Sequence, residues 1–166
     1  MSRSFAPTAL MLGNFVTGIS VLAPAGMLTE LSAGLGVTIR DAGLLITFGA
    51  VVLCIGSPLT AWLTSRIERR ILLGFTLAVL ALGNLASAFA PDYAVLLIIR
   101  LLMLAVGSLY TPQAAGTSAL VVPPEQRGGT MAYVFLGWSL AVAVGLPMIA
   151  FLASHYGWRV TYGCLG

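Results

Sequence analysis

Residues 57–73 of the chain read SPLTAWLTSRIERRILL, and this stretch decides the fold. An uncharged run at 42–65 precedes its three arginines, and a second uncharged run at 71–91 follows them. Each run is long enough to cross a hydrocarbon core of about 30 Å, whereas three arginines within five residues need water or lipid headgroups around them. The stretch therefore predicts two transmembrane helices joined by a basic loop on the cytoplasmic side.

The composition of the whole chain agrees with this prediction. Of its 166 residues, 59% are hydrophobic and only 8% are charged, against roughly 25% charged residues in a soluble domain. The eight basic residues are all arginines, and with five acids they give a net charge of +3. Because most of these arginines lie between apolar runs, they indicate membrane topology and not a nucleic-acid-binding face. We therefore predict an all-α, multi-pass protein of the inner (plasma) membrane.

The apolar runs predict five complete transmembrane helices and the start of a sixth, within a single transmembrane domain. Their approximate ranges are 8–29, 42–64, 71–90, 93–121, 129–153 and 160–166. A cytoplasmic N-terminus places five loop arginines inside and only two outside, which is the orientation that the positive-inside rule favours. The inside set is Arg3, Arg66, Arg69, Arg70 and Arg127, and the outside set is Arg40 and Arg159.

An internal repeat is predicted at an offset of 89 residues. Gly56 and Pro58 of the second span recur as Gly145 and Pro147 of the fifth. Because this offset corresponds to three helices, an odd number, the two copies would be inverted in the membrane, as in a three-plus-three transporter half. Chance glycine matches are the alternative, and the repeated Gly-x-Pro spacing favours the repeat.

The loop at 61–70, AWLTSRIERR, resembles the signature GxLxDRxGRK of the major facilitator superfamily, with Leu63 and the basic positions Arg66, Arg69 and Arg70 kept. Three further stretches are similar to the drug and sugar (arabinose-type) efflux branch of that family. They are 22–37 at the end of the first helix, 93–100 at the start of the fourth, and 137–159 in the antiporter helix and its exit. In this order and spacing they form a strong signal.

This resemblance implies the N-terminal six-helix half of a major facilitator fold. It further implies efflux of a drug, sugar or metabolite through alternating access, coupled to protons in the full-length protein. The alternative is a membrane accessory or assembly subunit, or an inactive truncated remnant, that moves no substrate. A family transporter needs about twelve helices around a site at the membrane midplane. We therefore predict that the isolated chain does not transport.

Arg100 is the sharpest candidate for function, since it lies inside the fourth span. A charge near the bilayer centre costs about 2.5–3.5 kcal/mol on insertion scales, so Arg100 should face a cavity or a partner. The resemblance implies a role in proton coupling or in attracting an anionic substrate, and the alternative is that the side chain snorkels to the interface. The complete spans contain no deeply placed acid. A proton-carrying carboxylate would therefore come from a missing half or from rim acids, or transport is not proton-coupled.

Other polar and helix-bending residues within the spans are also candidates. Because the first and fourth helices line the cavity in the family, Asn14, Tyr110 and Gln113 are predicted to line a substrate path. The alternative is that they bridge helices, at about 0.6 kcal/mol each. Gly145 and Pro147 are predicted to form a gating motif in the fifth helix, since proline removes a backbone donor and glycine permits close approach.

The sequence contains none of the residue combinations that indicate an enzyme. There is no nucleophile paired with a base and no HExxH motif, and the single histidine, His155, lacks a second ligand at metal-binding spacing. We therefore predict no enzymatic activity, no cofactor and no metal. The predicted partners are the lipid bilayer, a small-molecule substrate, protons, and a missing C-terminal half or a second copy of the chain.

Overall fold

The computed structural model describes residues 5–64 and 67–166, so Arg3 and Arg66 lie outside the described residues. Within these ranges the regular structure is helical. Five helical runs there are long and apolar enough to cross a membrane. The elements are α1 (Ala6–Gly26), α2 (Leu28–Leu35), α3 (Ile39–Leu63), α4 (Arg69–Ala88), α5 (Tyr93–Gly107), α6 (Tyr110–Val121), a 3-10 turn (Pro124–Gln126), α7 (Arg127–Leu140), a π-helical turn (Ala141–Gly145) and α8 (Leu146–Leu165).

Contacts between distant segments define the two ends of the bundle. Tyr93 donates a hydrogen bond to the backbone carbonyl of Asp41 (2.7 Å), and Arg159 donates one to the carbonyl of Ala90 (3.0 Å). The starts of α3 and α5 therefore meet the latter part of α8, and we call this the Tyr93 end. Helix α4 begins at Arg69 and ends beside Ala90, so Arg69 lies at the opposite end, the Arg69 end.

Proline explains why the helical hydrogen bonding is interrupted within the span Tyr93–Val121, which crosses the bundle as one run as predicted. Pro112 has no N–H group to offer the carbonyl of Ser108, four residues earlier, and the regular helix is interrupted at Ser108 and Leu109, which keep right-handed helical backbone angles. The hydroxyl of Ser57 in α3 donates to that carbonyl instead (3.3 Å). A side chain on a neighbouring helix thus satisfies the acceptor that proline leaves open.

Gly157 divides α8 into two segments that run in opposite directions. Its φ of 82° and ψ of 162° are non-helical, and glycine reaches positive φ without the cost that a side chain imposes. After Gly157 the chain passes Ala90 at the Tyr93 end and then returns along α4, where Asn84 donates to the carbonyl of Leu165 (3.5 Å). The residues after Gly157 therefore begin a new pass along the bundle.

The contacts of two glycines support the inverted repeat. A Cβ atom added to Gly56 would lie 2.8 Å from the Ser108 hydroxyl oxygen, and one added to Gly145 would lie 2.6 Å from Cγ1 of Ile19. Gly56 and Gly145 are 89 residues apart, as are Ile19 and Ser108. The same close approach between helices therefore occurs twice, at the offset that the sequence predicts.

The main core lies around α1 and packs it against α2, the start of α3, α5, the π-helical turn and α8. The later part of α3, in contrast, carries large exposed apolar side chains such as Ile55, Leu59 and Trp62. This distribution is expected where lipid or further protein covers the outer face. The buried residues of the main core include Ile19, Ala23, Met27, Leu31, Leu45, Leu96, Ala141, Ile149, Trp158 and Tyr162.

Candidate functional site

Arg100 is held inside the bundle by the backbone of α1. Its side chain is fully buried, and its Nη2 donates to the carbonyls of Ser20 (2.7 Å) and Val21 (3.2 Å). Pro24 cannot supply an N–H group to the carbonyl of Ser20, four residues before it, so this acceptor lacks its usual helical partner. The proline in α1 thus exposes a carbonyl that the guanidinium of α5 binds.

Four buried residues from different helices form what we call the arginine cluster: Ser20, Asn84, Arg100 and Tyr162. The side-chain amide nitrogen of Asn84 donates to the hydroxyl of Ser20 (2.9 Å). The guanidinium carbon of Arg100 lies 5.5 Å from the centroid of the Tyr162 ring, within the range of a cation–π contact. Helices α1, α4, α5 and the end of α8 therefore meet at one polar point.

The arginine cluster retains unused hydrogen-bonding capacity. Among the described residues, Asn84 Oδ1, Arg100 Nε, Arg100 Nη1 and the Tyr162 hydroxyl are buried without a hydrogen-bond partner. Buried charges are usually paired, because an uncompensated one is costly, and this cluster has no acidic member. The arginine cluster therefore offers one positive charge, the N–H groups of two guanidinium nitrogens and one amide oxygen that can accept. These groups suit a carboxylate, another small anion or water.

The second buried polar group, which we call the asparagine cluster, comprises Asn14, Thr111, Val134 and Trp138. The amide nitrogen of Asn14 donates to the Val134 carbonyl (3.1 Å), and its amide oxygen accepts from the Thr111 hydroxyl (3.1 Å). The indole N–H of Trp138 donates to that hydroxyl (3.2 Å). Asn14 is fully buried, so it bridges α1, α6 and α7.

The other two predicted path residues occupy different environments. Tyr110 is 2% exposed and packs among Leu10, Ala114 and Val134, close to the asparagine cluster. Gln113 is only partly buried. Because ten helical residues span roughly 15 Å, Tyr110 lies well away from Arg100, so the structure does not bring all four predicted path residues together.

The predicted gating motif lies against α1. Gly145 ends the π-helical turn and approaches Ile19 closely, while the exposed Pro147 follows in α8. The N–H of Leu146 bonds back to the carbonyl of Ala141, five residues earlier. One extra residue is thus accommodated in this turn immediately before the proline, as in the π-bulges that often mark functional sites.

The described part of the basic loop motif lies at the Arg69 end. Arg69 and Arg70 are exposed at the start of α4. A Cβ atom added to Gly116 of α6 would lie 3.1 Å from Nη1 of Arg69. The guanidinium of Arg69 therefore packs against the backbone of α6 at Gly116, where no side chain intervenes.

Sequence reasoning did not single out Ser20, Asn84 or Tyr162 as site residues. Tyr162 lies beyond the five complete predicted spans, and its proximity to Arg100 depends on the reversal at Gly157. Ser20 could have been recognised from the sequence alone, because Pro24 leaves the carbonyl four residues earlier without its usual helical donor. Asn84 was recognisable as an amide inside an apolar span, although its partner was not.

Comparisons with known proteins agree on one family. Residues 10–166 match the family model of the Major Facilitator Superfamily. The inner membrane transport protein YdhP of Escherichia coli is 34% identical over 98% of this chain and 42% of its own length. The chloramphenicol efflux pump Rv0191 of Mycobacterium tuberculosis is 30% identical over 95% of this chain and 38% of its own.

A solved structure shows the same fold. The xylose transporter XylE from Escherichia coli, in its inward-open conformation, matches with a TM-score of 0.77 at 16% sequence identity. The match covers 99% of this chain and 45% of XylE. The chain therefore spans about two-fifths of the length of the curated relatives that it matches.

Proposed function

The chain belongs to the major facilitator superfamily and has the fold of its N-terminal half, and from this premise we propose that the complete protein exports a small solute. The substrate class is a drug, a sugar or a related metabolite, since relatives of the chain include a chloramphenicol efflux pump and a protein named "Probable sugar efflux transporter". Export proceeds through alternating access coupled to protons, with the N-terminus in the cytoplasm and the remaining half supplied by further sequence or a second copy.

The observation that carries this proposal is the arginine cluster. An arginine that only anchored helices would be expected to have its donors satisfied, because unpaired buried donors lower stability. Arg100 instead uses one nitrogen on α1, and its Nε and Nη1 have no hydrogen-bond partner in the part of the chain that the structure describes. A buried guanidinium with free donors lowers stability, and this cost is accepted where the group must bind a charge that moves during transport. Ionisable residues inside membranes usually have such a role in ion or substrate pathways.

Proton coupling requires a carboxylate that approaches and leaves Arg100. The spans of the chain contain no deeply placed acid, so the carboxylate belongs to the other half, to the substrate or to an acid at the rim of a span. While ionised, it pairs with the unused guanidinium donors. Once protonated, it loses most of that attraction and departs. Protonation thereby shifts the balance between the two access states, as a ligand that binds one state more tightly does.

The remaining candidates have roles consistent with this mechanism. Gln113, which is partly exposed, lines the substrate path. Asn14 and Tyr110 stabilise the packing of α1, α6 and α7 beside that path. The π-helical turn before Pro147 bends as α1 and α7 rock, since proline and π-bulges are the usual sites of helix kinks. Arg69 and Arg70 stay in the cytoplasmic loop and anchor α4 at that surface.

The test is to express the reading frame that encodes the chain, together with whatever follows the codon for Gly166, in cells that lack their main exporters. Accumulation of labelled chloramphenicol and of several labelled sugars is then measured with and without a protonophore. We expect lower accumulation of at least one compound, abolished by the protonophore. Export that continues in the presence of the protonophore would contradict proton coupling but not the proposed export. Unchanged accumulation of the whole panel would favour the accessory-subunit alternative.

A further inference from the structure

An apolar groove lies on the outer face of the bundle at the Tyr93 end. It is an open groove of about 470 Å³ between the end of α4 and the part of α8 that follows Gly157. Leu85 near the end of α4 and Phe89, which follows the helix, are exposed whereas Asn84 is fully buried, so the groove faces away from the arginine cluster. It is lined by Leu85, Ala88, Phe89, Val160 and Gly163, with Arg159 as its charged member.

Arg159 brings a positive charge to this groove that its protein contacts do not neutralise. Its Nη2 donates to the Ala90 carbonyl (3.0 Å), and its guanidinium carbon lies 4.1 Å from the centroid of the Trp158 ring. Neither partner carries a formal charge. Because guanidinium has five N–H donors in a planar fork, most of them remain available, and a phosphate is the anion whose geometry suits that fork.

The position of the groove decides between kinds of occupant. Arg159 lies beside the turn at the end of α4, where the apolar helix α4 ends and α5 begins, and this turn therefore lies at the level of a membrane interface. The groove continues from this charge along apolar side chains of transmembrane helices. A positive charge at the interface beside an open apolar surface about one helical turn long complements a phospholipid, with its phosphate on the charge and the first part of an acyl chain on the apolar side chains.

We propose that an anionic phospholipid binds this groove, with its headgroup phosphate on Arg159 and one acyl chain against Leu85, Phe89 and Val160. Selectivity for an anionic lipid follows because the charge of Arg159 attracts net negative charge, whereas the apolar surface accepts any acyl chain. This site is separate from the arginine cluster, and its occupation does not depend on the transport activity proposed above.

The first experiment measures lipid binding to the purified chain in detergent by native mass spectrometry. Phosphatidylglycerol and phosphatidylcholine with the same acyl chains are titrated separately. We expect phosphatidylglycerol to bind more tightly, and Arg159→Gln to weaken it about fivefold, the effect of one basic residue near a lipid surface. Arg159→Lys should keep most of the binding. Arg40→Gln is the matched control, since Arg40 is an exposed arginine at the same end and outside the groove.

The second experiment leaves Arg159 intact and fills the apolar part of the groove. A Cβ atom added to Gly163 meets no atom within 4 Å, and neither does one added to Gly74 on α4. Gly163→Leu should therefore fold normally and weaken phosphatidylglycerol binding by about fivefold or more through steric overlap with the acyl chain. Gly74→Leu, which lies outside the groove, should not.

Three results would overturn the proposal. Equal affinity for the two lipids would remove the role of charge, and unchanged binding in both Arg159→Gln and Gly163→Leu would place the lipid elsewhere. Competition by glycerol phosphate as effective as that of phosphatidylglycerol would mean that Arg159 binds a free phosphate and that the groove does not hold an acyl chain.

Discussion

The arginine cluster is buried, the asparagine cluster is centred on a buried residue with partly buried Thr111 and Trp138 beside it, and both clusters join α1 to the α5–α6 segment. They differ in hydrogen-bond satisfaction. In the asparagine cluster, the amide of Asn14 donates and accepts, and Thr111 does the same. In the arginine cluster, four polar atoms have no partner among the described residues, and two of them belong to the charged group of Arg100.

This difference separates stability from function. A satisfied buried network gains from the low dielectric around it, whereas each unsatisfied member costs about 1–3 kcal/mol. The asparagine cluster should therefore stabilise the packing of α1 against α6 and α7. The arginine cluster should be close to neutral or costly for folding, and its retention is expected only if it serves transport. The two clusters can be tested separately because they share no residue.

The largest effect is expected from Arg100→Met. Export by the complete protein should fall below about one-tenth of wild type, because the variant removes the charge that is buried among the described residues and that a carboxylate would approach. The unfolding free energy in detergent should stay within about 1 kcal/mol of wild type, since the lost bonds to α1 are offset by removal of the unpaired charge. The measurements are labelled-substrate efflux and unfolding followed by circular dichroism.

Arg100→Lys is the matched variant, since it keeps the charge but not the planar fork. It should retain part of the export activity. If Arg100→Met exported normally, or if it lost several kcal/mol of stability, the contrast between the two clusters would disappear.

Gly137→Ala tests the asparagine cluster through the packing that supports it. The added methyl group would overlap the carbonyl of Met11 and lie 2.9 Å from Cβ of Asn14. Backbone atoms cannot rotate away from the added methyl group as a side chain can, so α1 and α7 must move apart. The unfolding free energy should therefore fall by about 1–3 kcal/mol. Gly129→Ala on the same helix is the control, because a Cβ atom added there meets no atom of the described residues within 4 Å. This variant should not lose unfolding free energy. Equal stability of both variants would show that the helices are not in tight contact.

Much of the fold could be predicted from local sequence. The apolar runs, the charged loops and the repeated Gly-x-Pro are periodic or compositional signals that need no knowledge of tertiary contacts. The repeat was informative even about contacts, because the close approaches of Gly56 and Gly145 occur at equivalent positions. Arg100 was predictable as a functional candidate for a similar reason, since a charge inside an apolar span is anomalous by itself.

The surroundings of the polar residues could not be predicted in the same way. Asn14 and Asn84 look alike in sequence, each an amide within an apolar helix. Asn14 has both side-chain polar atoms hydrogen-bonded, while the amide oxygen of Asn84 has no partner within residues 5–64 and 67–166. That outcome depends on which helices approach each residue, and for Tyr162 it depends on a reversal in chain direction at Gly157.

A double-mutant cycle between Asn14 and Thr111 measures the satisfied cluster directly. Asn14→Ala should lower the unfolding free energy by about 1 kcal/mol, because two interhelical hydrogen bonds contribute about 0.6 kcal/mol each. Thr111→Val should cost less, and the coupling energy between the two changes should be about 0.6 kcal/mol. A coupling energy of zero would mean that the bond between these side chains does not form in the membrane protein.

The smallest effect is expected at Tyr162, whose hydroxyl group and aromatic ring can be separated. Tyr162→Phe removes a buried hydroxyl that has no partner among the residues the structure describes and keeps the ring beside Arg100, so stability should be unchanged or rise by about 0.5 kcal/mol. Tyr162→Leu removes the ring face and should lower stability by about 0.5–1 kcal/mol through loss of the cation–π contact. In an Arg100→Met background the loss from Tyr162→Leu should shrink, because the cation is then absent. An equal loss in both backgrounds would assign Tyr162 to apolar packing alone. A clear loss from Tyr162→Phe would show that the hydroxyl is hydrogen-bonded after all, and it would bring the arginine cluster closer to the asparagine cluster.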